Sequence, residues 1–483
     1  MGFRTYTCPI SKRCGGCEWL AVPYPIQLRR KQEAMERLFS GLVEADGFRI
    51  GRIHGMEEPT GFRHKMASPF APGARGRVRC GFFEAGSHRI VACQECLVED
   101  KAGRPIINDV ARIATRLRIS AYQEDSARGV LRHAVVRSGY ATDDVLVTLV
   151  TNGERLPQAE RLVQELTELH PEITSIVQNV NERRTNAMLG RKNTTLFGTG
   201  VMHDRLLGCL FEIGPTSFYQ TNPAQTELLY RLAIDAAGLQ GKELLLDAYC
   251  GTGTIGICAS RGCPDARVLG IEQVRGAVGC ARRNAKANGL QGSCDFVCAD
   301  ATEHLAGSAR GSLSADVVIM DPPRAGSTPQ FIEAVSRLRP RSVVYVSCNP
   351  QTQLRDLREF RAHGWRTTHM ELVDMFPHTK HVETVALLSK LNTEHHLDIE
   401  IGEDELSEID FSKDATYREI KKYVLDKYGL KVSSLYIAQI KRKHGLIERE
   451  NYNFSKKENQ RVPNCPEEKE KAIEDALEHF GMI

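Results

Sequence analysis

The sequence predicts an α/β protein with a Rossmann-like, doubly wound parallel sheet between residues 236 and 391, a central α/β domain before it and a small helical module after it. Three observations carry the sheet. Apolar strand, turn and helix succeed one another through LLLDAYCGTGTIG, RVLGIE, DVVIMDPPR and SVVYVSCNP. Gly251, Gly253 and Gly256 form a G-x-G-x-x-G turn directly after the first strand, a pattern that leaves backbone N–H groups open to a ligand. Glu272 ends the next strand, where a carboxylate can accept ribose hydroxyls.

At 483 residues the chain has room for about three ordinary domains. With 41% hydrophobic and 26% charged residues its composition is globular, and the formal charge of +3, taken alone, favours neither nucleic acid nor a membrane surface. No stretch approaches the roughly 18 consecutive apolar residues of a membrane helix. Polar residues or glycines interrupt every apolar run of MGFRTYTCPISKRCGGCEWL, so no signal peptide and a cytoplasmic location are expected. Fifteen cysteines, an odd number in a large chain without an export signal, point to metal ligation or thiol chemistry rather than disulfides.

The expected division is a cysteine-cluster domain over 1–100, a central α/β domain over 101–235, a catalytic domain over 236–391, an acidic linker over 392–412 and a helical module over 413–483. In the central part, LRHAVVR, DVLVTLVTN and ITSIVQNVN read as strands and PQAERLVQELTELH as a helix. The linker carries eight acids and no Lys or Arg. In the module, Thr416 and Glu419 suggest a capping box, Gly429 a helix end, and SSLYIAQIKRKHG a second helix, together resembling a helix-turn-helix. PEEKEKAIEDALEHFG reads as a last helix opened by proline.

Asp321-Pro322-Pro323-Arg324 and Ser347-Cys348-Asn349-Pro350 each follow a strand and so belong at the carboxyl edge of the sheet, where ligands bind. The glycine turn suits a dinucleotide or S-adenosylmethionine, which share an adenosine. The cysteine separates them. A nicotinamide enzyme has no use for it, whereas a methyltransferase acting on a poor carbon nucleophile does. Carbon 5 of uracil is such a centre: a thiolate adding to carbon 6 makes it nucleophilic, and a base then removes its proton so that elimination frees the enzyme. Cys348, in a tight turn where access and a lowered pKa are expected, fits the first role, and Glu383 in HVETVALL the second. Enzymes that methylate exocyclic amines place an aromatic residue where Arg324 stands, and cytosine-5 enzymes commonly a cysteine where Pro323 stands.

With FYQTNP, DAYCGTGTIG, DPPR, SCNP and HVETV together, the chain resembles the iron-sulfur branch of the RNA uracil-5-methyltransferases over residues 8–390. The resemblance implies an S-adenosylmethionine-dependent methyltransferase with Gln220, Tyr249, Glu272 and Asp321 as cofactor contacts, Cys348 as nucleophile and Glu383 as base. One departure is Ala248, where the family usually has leucine.

Cys8, Cys14 and Cys17 supply three thiolates, with a fourth from Cys93 or Cys96; spacing alone allows zinc or an iron-sulfur cluster. The resemblance implies a [4Fe-4S] cluster on Cys8, Cys14, Cys17 and Cys96, the cysteine that follows the SHRIV segment, with Cys93 as an extra; with no redox step for the cluster to perform, a structural role is expected of it.

Arg63, Lys65, Arg75, Arg77 and Arg79 alternate with apolar positions and suit phosphate contacts, while Phe62 or Phe218 could stack on an extruded base although each reads first as core. By resemblance the partner is 23S ribosomal RNA, since the transfer-RNA branch typically lacks the cysteines; the chain is similar to shorter members without a leading β-barrel, and a monomer is expected. The alternatives are a transfer-RNA methyltransferase, or a nucleic-acid-binding regulator with a vestigial methyltransferase half. The second is argued only from the tail, where residues 413–449 hold ten basic and four acidic side chains and Lys441, Arg442 and Lys443 end a helix. A small module that packs on protein is the other reading of that tail. Dividing the charge shows what the total conceals: residues 1–391 hold 49 basic and 41 acidic side chains, net +8, and residues 392–483 hold 15 and 20, net −5.

Overall fold

Helix α1 (Ser11–Cys14) is one turn, closed by Gly15 in the left-handed conformation, and α2 (Tyr24–Asp46) opens behind Pro23 and ends at Gly47, also left-handed. These belong to a computed structural model that describes residues 4–185, 187–308, 314–390, 417–428, 430, 432, 434–444 and 466–479.

Strands β1 (Lys65–Pro72), β2 (Val78–Phe83), β3 (Ile90–Ala92), β4 (Leu131–Ser138), β5 (Val145–Thr151), β6 (Ile173–Val180) and β7 (Lys192–Gly198) make one sheet in the order β3-β2-β1-β4-β5-β6-β7. Helices α3 (Gly103–Arg116) and α4 (Ala159–Leu169) close its core. On α3, Ile106, Ile107, Val110, Ile113 and Ala114 recur at helical spacing and are buried together against Met66, Phe70 and Val136. The expected boundary at residue 100 runs through this sheet. β1 is laddered to β4 from Lys65↔Arg137 to Pro69↔His133, so the backbone groups of the first segment are satisfied by the second and the two form one layer.

After the hairpin β8 (Met202–Leu206) and β9 (Cys209–Ile213) and helix α5 (Pro223–Ala237) comes the second large sheet. It is built from β10 (Leu244–Ala248), α6 (Thr254–Gly262), β11 (Arg267–Glu272), α7 (Arg275–Ala287), β12 (Cys294–Cys298), α8 (Ala301–Ser308), β13 (Val317–Met320), α9 (Pro329–Leu338), β14 (Ser342–Ser347), α10 (Pro350–Ala362), β15 (Trp365–Val373) and β16 (Glu383–Lys390). Its order is β12-β11-β10-β13-β14-β16-β15. The central strands are buried on both faces, as continuous apolar runs in a parallel sheet must be. One face packs on β8, β9 and α5 through Phe211, Leu229 and Tyr230; the other receives α2 through Phe39 and Leu42. Residues 202–237 therefore share the catalytic core, and the expected start at 236 moves back, because these elements bury their apolar sides against β10 and β13. Ala248, fully buried, belongs to the α2 side of this core.

The chain divides into two units, Met1–Asn392 and Thr393–Ile483. In the second, α11 (Tyr417–Tyr428), α12 (Ser434–Lys443) and α13 (Glu467–His479) enclose a core of Ile420, Val424, Ile437, Ile440, Ile473 and Leu477. Lys427 pairs with Asp475 at 2.9 Å, His444 with Glu474 at 2.8 Å, and Lys443 with Glu470 and Glu474. The expected linker, Thr416, Gly429 and the Arg442 side chain lie outside the described residues.

Candidate active site

The strand order itself locates the site. From β10 the chain winds outward through β11 and β12, then returns across β10 to β13, so the crevice at the carboxyl ends of β10 and β13 is the topological switch point. A cavity of about 760 Å³ opens there, and Gln220, Tyr249, Glu272, Asp321, Cys348 and Glu383 all line it.

The turn after β10 is built from unusual backbone. Tyr249 adopts φ 64, and Gly251 and Gly253 follow at φ 56 and 77, a left-handed path that costs roughly 1–2 kcal/mol at a residue bearing a side chain. The tyrosine is steadied by its hydroxyl at 3.2 Å from Ser327 Oγ and by its ring at 5.1 Å from Phe331. Gly256 has a different reason to be glycine: a Cβ there would stand 2.7 Å from Val268 Cγ1 and 2.9 Å from Asp247 Oδ2. Its N–H donates to Asp247 at 2.9 Å, binding α6 to β10. Glu272 accepts the N–H groups of Gly251 (3.2 Å) and Val274 (2.8 Å), which aims its carboxylate at the turn.

The prolines and asparagines of the motifs form helix entries. Asn349 caps α10 by accepting the Gln351 N–H at 3.3 Å, with Pro350 in the first turn, and its amide donates to the Arg324 carbonyl at 3.0 Å. That bond ties the turn carrying Cys348 to the one carrying Asp321. Asn222 caps α5 in the same way.

Cys348 and Glu383 are brought together by an antiparallel pair. β16 runs against β14 with Ser347↔Thr384 in register, so the start of β16 lies at the edge where β14 ends. Glu383 is 5% exposed, and burial together with Asp321 raises its pKa to about 8 against the opposing pull of Arg324. Burial raises Asp321 to about 7. The expected depression of the Cys348 pKa is not found: burial first, then Glu383 and Asp321, push its thiol up to about 11, and Arg324 opposes them only in part.

Such a cavity, with a thiol and a carboxyl group at one sheet edge, suits addition to an electron-poor ring followed by proton removal once a bound cation has favoured the ionised carboxylate. Residues 202–391 match the tRNA (Uracil-5-)-methyltransferase family. An uncharacterized RNA methyltransferase of Staphylococcus aureus (strain MSSA476) is 39% identical over 383 residues, 79% of this chain and 83% of that protein. The chain belongs to the RNA uracil-5-methyltransferase family. A similarly named protein of Oceanobacillus iheyensis is 38% identical over 384 residues, 79% of this chain and 82% of its own. The crystal structure of the Pyrococcus abyssi tRNA (uracil-54, C5)-methyltransferase in complex with S-adenosyl-L-homocysteine superposes with a TM-score of 0.64 at 29% identity, covering 77% of this chain and 85% of the other.

Other residues of the methyltransferase reach the cavity. Asp300, just past β12, lines it and was missed from the sequence; the signal is an acid following a strand in CADATEHL, the counterpart of Glu272 one strand over. His381 also lines it, two residues before Glu383. Arg63 and Lys65 stand in its wall, and burial with Arg137 and Arg63 lowers the Lys65 pKa to about 8, which marks a crowded cationic edge suited to an anion. Arg75, Arg77 and Arg79 are exposed but do not line it. Phe62 is buried in the core, whereas Phe218 is 65% exposed on the cavity and so is not the core residue its apolar character suggested.

The cysteine loop borders the same cavity through Gly16. Cys8, Cys14, Cys17 and Cys96 are half-buried free thiols; Cys93 is buried and donates to the Glu95 carbonyl at 3.1 Å. Burial, then the negative forms of Cys96, Cys14 and Cys8, act on Cys17, so the four thiols are electrostatic neighbours. Among the described residues no group of three or more His, Cys, Asp or Glu is arranged as a metal site, while the donor set itself fits a four-thiolate group. Also among the described residues, no helix is long and apolar enough to cross a membrane.

Proposed function

We propose that this protein forms 5-methyluridine in 23S ribosomal RNA with S-adenosylmethionine as methyl donor. The observation that carries it is the register of β14 against β16, which sets Cys348 across the cavity from Glu383 beside Asp321. Cys348 adds as the thiolate to carbon 6 of the uracil, and its proton passes to solvent. Carbon 5 takes the methyl group, Glu383 removes the carbon-5 proton, and the bond to Cys348 breaks to release product. The bound cofactor supplies an electrophilic sulfonium methyl. Gln220, Tyr249, Glu272 and Asp321 hold it through an amide, an aromatic ring and two carboxylates, with Asp300 a further acid at the same edge. Arg63 and Lys65 take the phosphates flanking the flipped nucleotide. Cys8, Cys14, Cys17 and Cys96 hold a [4Fe-4S] cluster in a structural role.

Ribosomal RNA is favoured by the cysteine pattern. A second reading, methylation of transfer RNA, is favoured by the Pyrococcus abyssi structure, whose substrate is tRNA. Incubation with labelled S-adenosylmethionine and unmodified 23S or transfer RNA, followed by mass mapping, separates them. In the same assay Cys348→Ala abolishes methylation and covalent trapping of 5-fluorouracil RNA, and Glu383→Gln accumulates the covalent adduct. Trapping by Cys348→Ala would sink the mechanism.

A further inference from the structure

Residues 374–382 connect β15 to β16, place Phe376, Thr379 and His381 in the cavity wall, and end at Glu383. Helix α2, far away in sequence, grips this connection with a polar face. Lys31 Nζ donates to Asp374 Oδ1 at 2.5 Å and to the Phe376 carbonyl at 3.2 Å, and the Tyr24 hydroxyl donates to Asp374 Oδ2 at 2.7 Å. Gln27 Oε1 accepts the His378 N–H at 2.9 Å while its Nε2 stands 3.1 Å from His378 Nδ1. His378 Nε2 lies 2.8 Å from the Pro59 carbonyl, and its own carbonyl accepts the Trp19 N–H at 2.9 Å.

Gln27, Lys31, Asp374 and His378 are each at most 1% exposed. Adhesion alone does not call for them: a buried ion pair must repay the desolvation of both charges, and apolar residues of the same volume often hold as well or better. What the polar face adds is direction. Asn222 and Gln225 of the α5 entry hold the Met375 and Asp374 carbonyls at 2.9 and 3.0 Å, while the α2 face holds the Asp374 side chain and keeps His378 at φ 65, a left-handed backbone that a histidine seldom adopts unaided. Beyond this clamp the chain passes Lys380 and His381, the latter on the cavity, and enters β16 at Glu383, and none of these hydrogen bonds of Tyr24, Gln27 and Lys31 reaches the thiol or the cofactor turn.

We propose that Gln27 and Lys31 are positioning residues for the proton-removal half of the reaction: through Asp374 and His378 they set the loop that aims Glu383 at carbon 5. The inference rests on the assignment of Glu383 as base. A group held about 1 Å from its productive place loses on the order of 100-fold in rate, so the step governed by Glu383 slows while earlier steps continue.

The test is a Lys31→Met/Asp374→Asn double variant of the full chain, which removes both charges at once, assayed beside wild type, Cys348→Ala and Glu383→Gln with an unmodified transcript of whichever RNA accepts the methyl group. Turnover is expected to fall at least tenfold and the covalent protein–RNA adduct to accumulate as in Glu383→Gln, an effect of the size that a displaced reacting group produces. Affinity for S-adenosylhomocysteine should stay within about threefold of wild type, since Gln27, Lys31, Asp374 and His378 do not themselves line the cavity; Phe376, Thr379 and His381 of the same loop do, so adduct resolution is compared at saturating RNA. Gln27→Ala, which removes hydrogen bonds and no charge, is read in the same way and stands in if the double variant does not fold. Adduct resolving at the wild-type rate, parallel loss of cofactor binding and adduct formation, or failure of both variants to fold overturns the positioning role. Adduct formation by Cys348→Ala instead overturns the underlying mechanism, so the two failures are distinct.

Discussion

Ser347 and Thr384 are register partners, and one residue further at the same sheet edge Cys348 and Glu383 both line the cavity, close enough for Glu383 to act on the thiol. Both motifs end at one edge only because β16 runs antiparallel in a sheet whose central strands are parallel: its start, not its end, lies beside the carboxyl end of β14. Thiol and carboxyl group then share a buried environment: burial raises the cost of ionising both, and Glu383 adds to that of the thiol.

Cofactor binding is expected to expel protons. Asp321 and Glu383, raised to about 7 and about 8, are partly and mostly protonated at pH 7, and a sulfonium cation beside them favours their charged forms. Calorimetry at pH 7 in buffers of different ionisation heat should show proton release with S-adenosylmethionine and less with S-adenosylhomocysteine, which lacks the sulfonium charge. Equal release by both would contradict it.

The same raised values act on folding stability. Between the ordinary Glu value of 4.5 and the raised value of about 8, the folded protein binds more protons at Glu383 than the unfolded chain does, so this group's contribution is present on the acid side and is lost as pH rises. Denaturant midpoints of the unliganded protein should show that slope, and Glu383→Gln should flatten it.

Gly256→Ala is expected to cost ~1–3 kcal/mol of stability, the usual penalty of overpacking a filled site, because the added methyl meets Val268 and Asp247. It should also weaken S-adenosylhomocysteine binding by moving α6 from β10. An unchanged urea midpoint would show that α6 moves freely.

Phe218→Ala should leave thermal stability unchanged, since the ring is 65% exposed. Base stacking on an aromatic ring is worth ~1–3 kcal/mol, so the RNA KM is expected to rise at least several-fold with affinity for S-adenosylhomocysteine intact. A lowered melting temperature with unchanged KM would return Phe218 to a packing role.

The tail reads from sequence as a basic helical surface, yet Lys427, Lys443 and His444 face carboxylates of α13. Cations already paired add little to phosphate binding. Replacing Lys427 and Lys443 together by alanine should therefore change the salt slope of RNA binding by less than about one unit; a drop of about two units would give both cations the RNA role.

Anaerobically purified protein is expected to be brown, with broad absorbance near ~400 nm. Cys96→Ser should lose that absorbance and Cys93→Ser keep it. The reverse would exchange the fourth ligand.

Much of the fold and site was legible because local chemistry announces it. Apolar runs ending in DAYCGTG, DPPR and SCNP are strands followed by turns whatever surrounds them, and the strands over 244–248, 317–320 and 342–347 lie where those runs predict. Helix α2 was not legible. Gln27 and Lys31 occupy its buried face and break the apolar period by which an amphipathic helix is read. The domain boundary at residue 100 failed for a related reason: a composition change marks where cysteines cluster, not where strand ladders close, and β1 pairs with a strand some sixty residues further along the chain. Asp300 and His381 were passed over because a lone acid or histidine beside a strand carries no pattern of its own.

By itself the sequence determined the order of strands and turns along the chain, the residue types at the sheet edge and the chemistry they can perform, since those depend on neighbours within a few residues. Tertiary structure alone decided which of these meet and in what electrical state. The antiparallel return of β16 sets Glu383 against Cys348, burial moves the thiol to about 11 where an exposed turn would have lowered it, and a charged helix face buried near the N-terminus clamps a loop more than three hundred residues away. Desolvation and long-range pairing exist only once the chain has closed on itself.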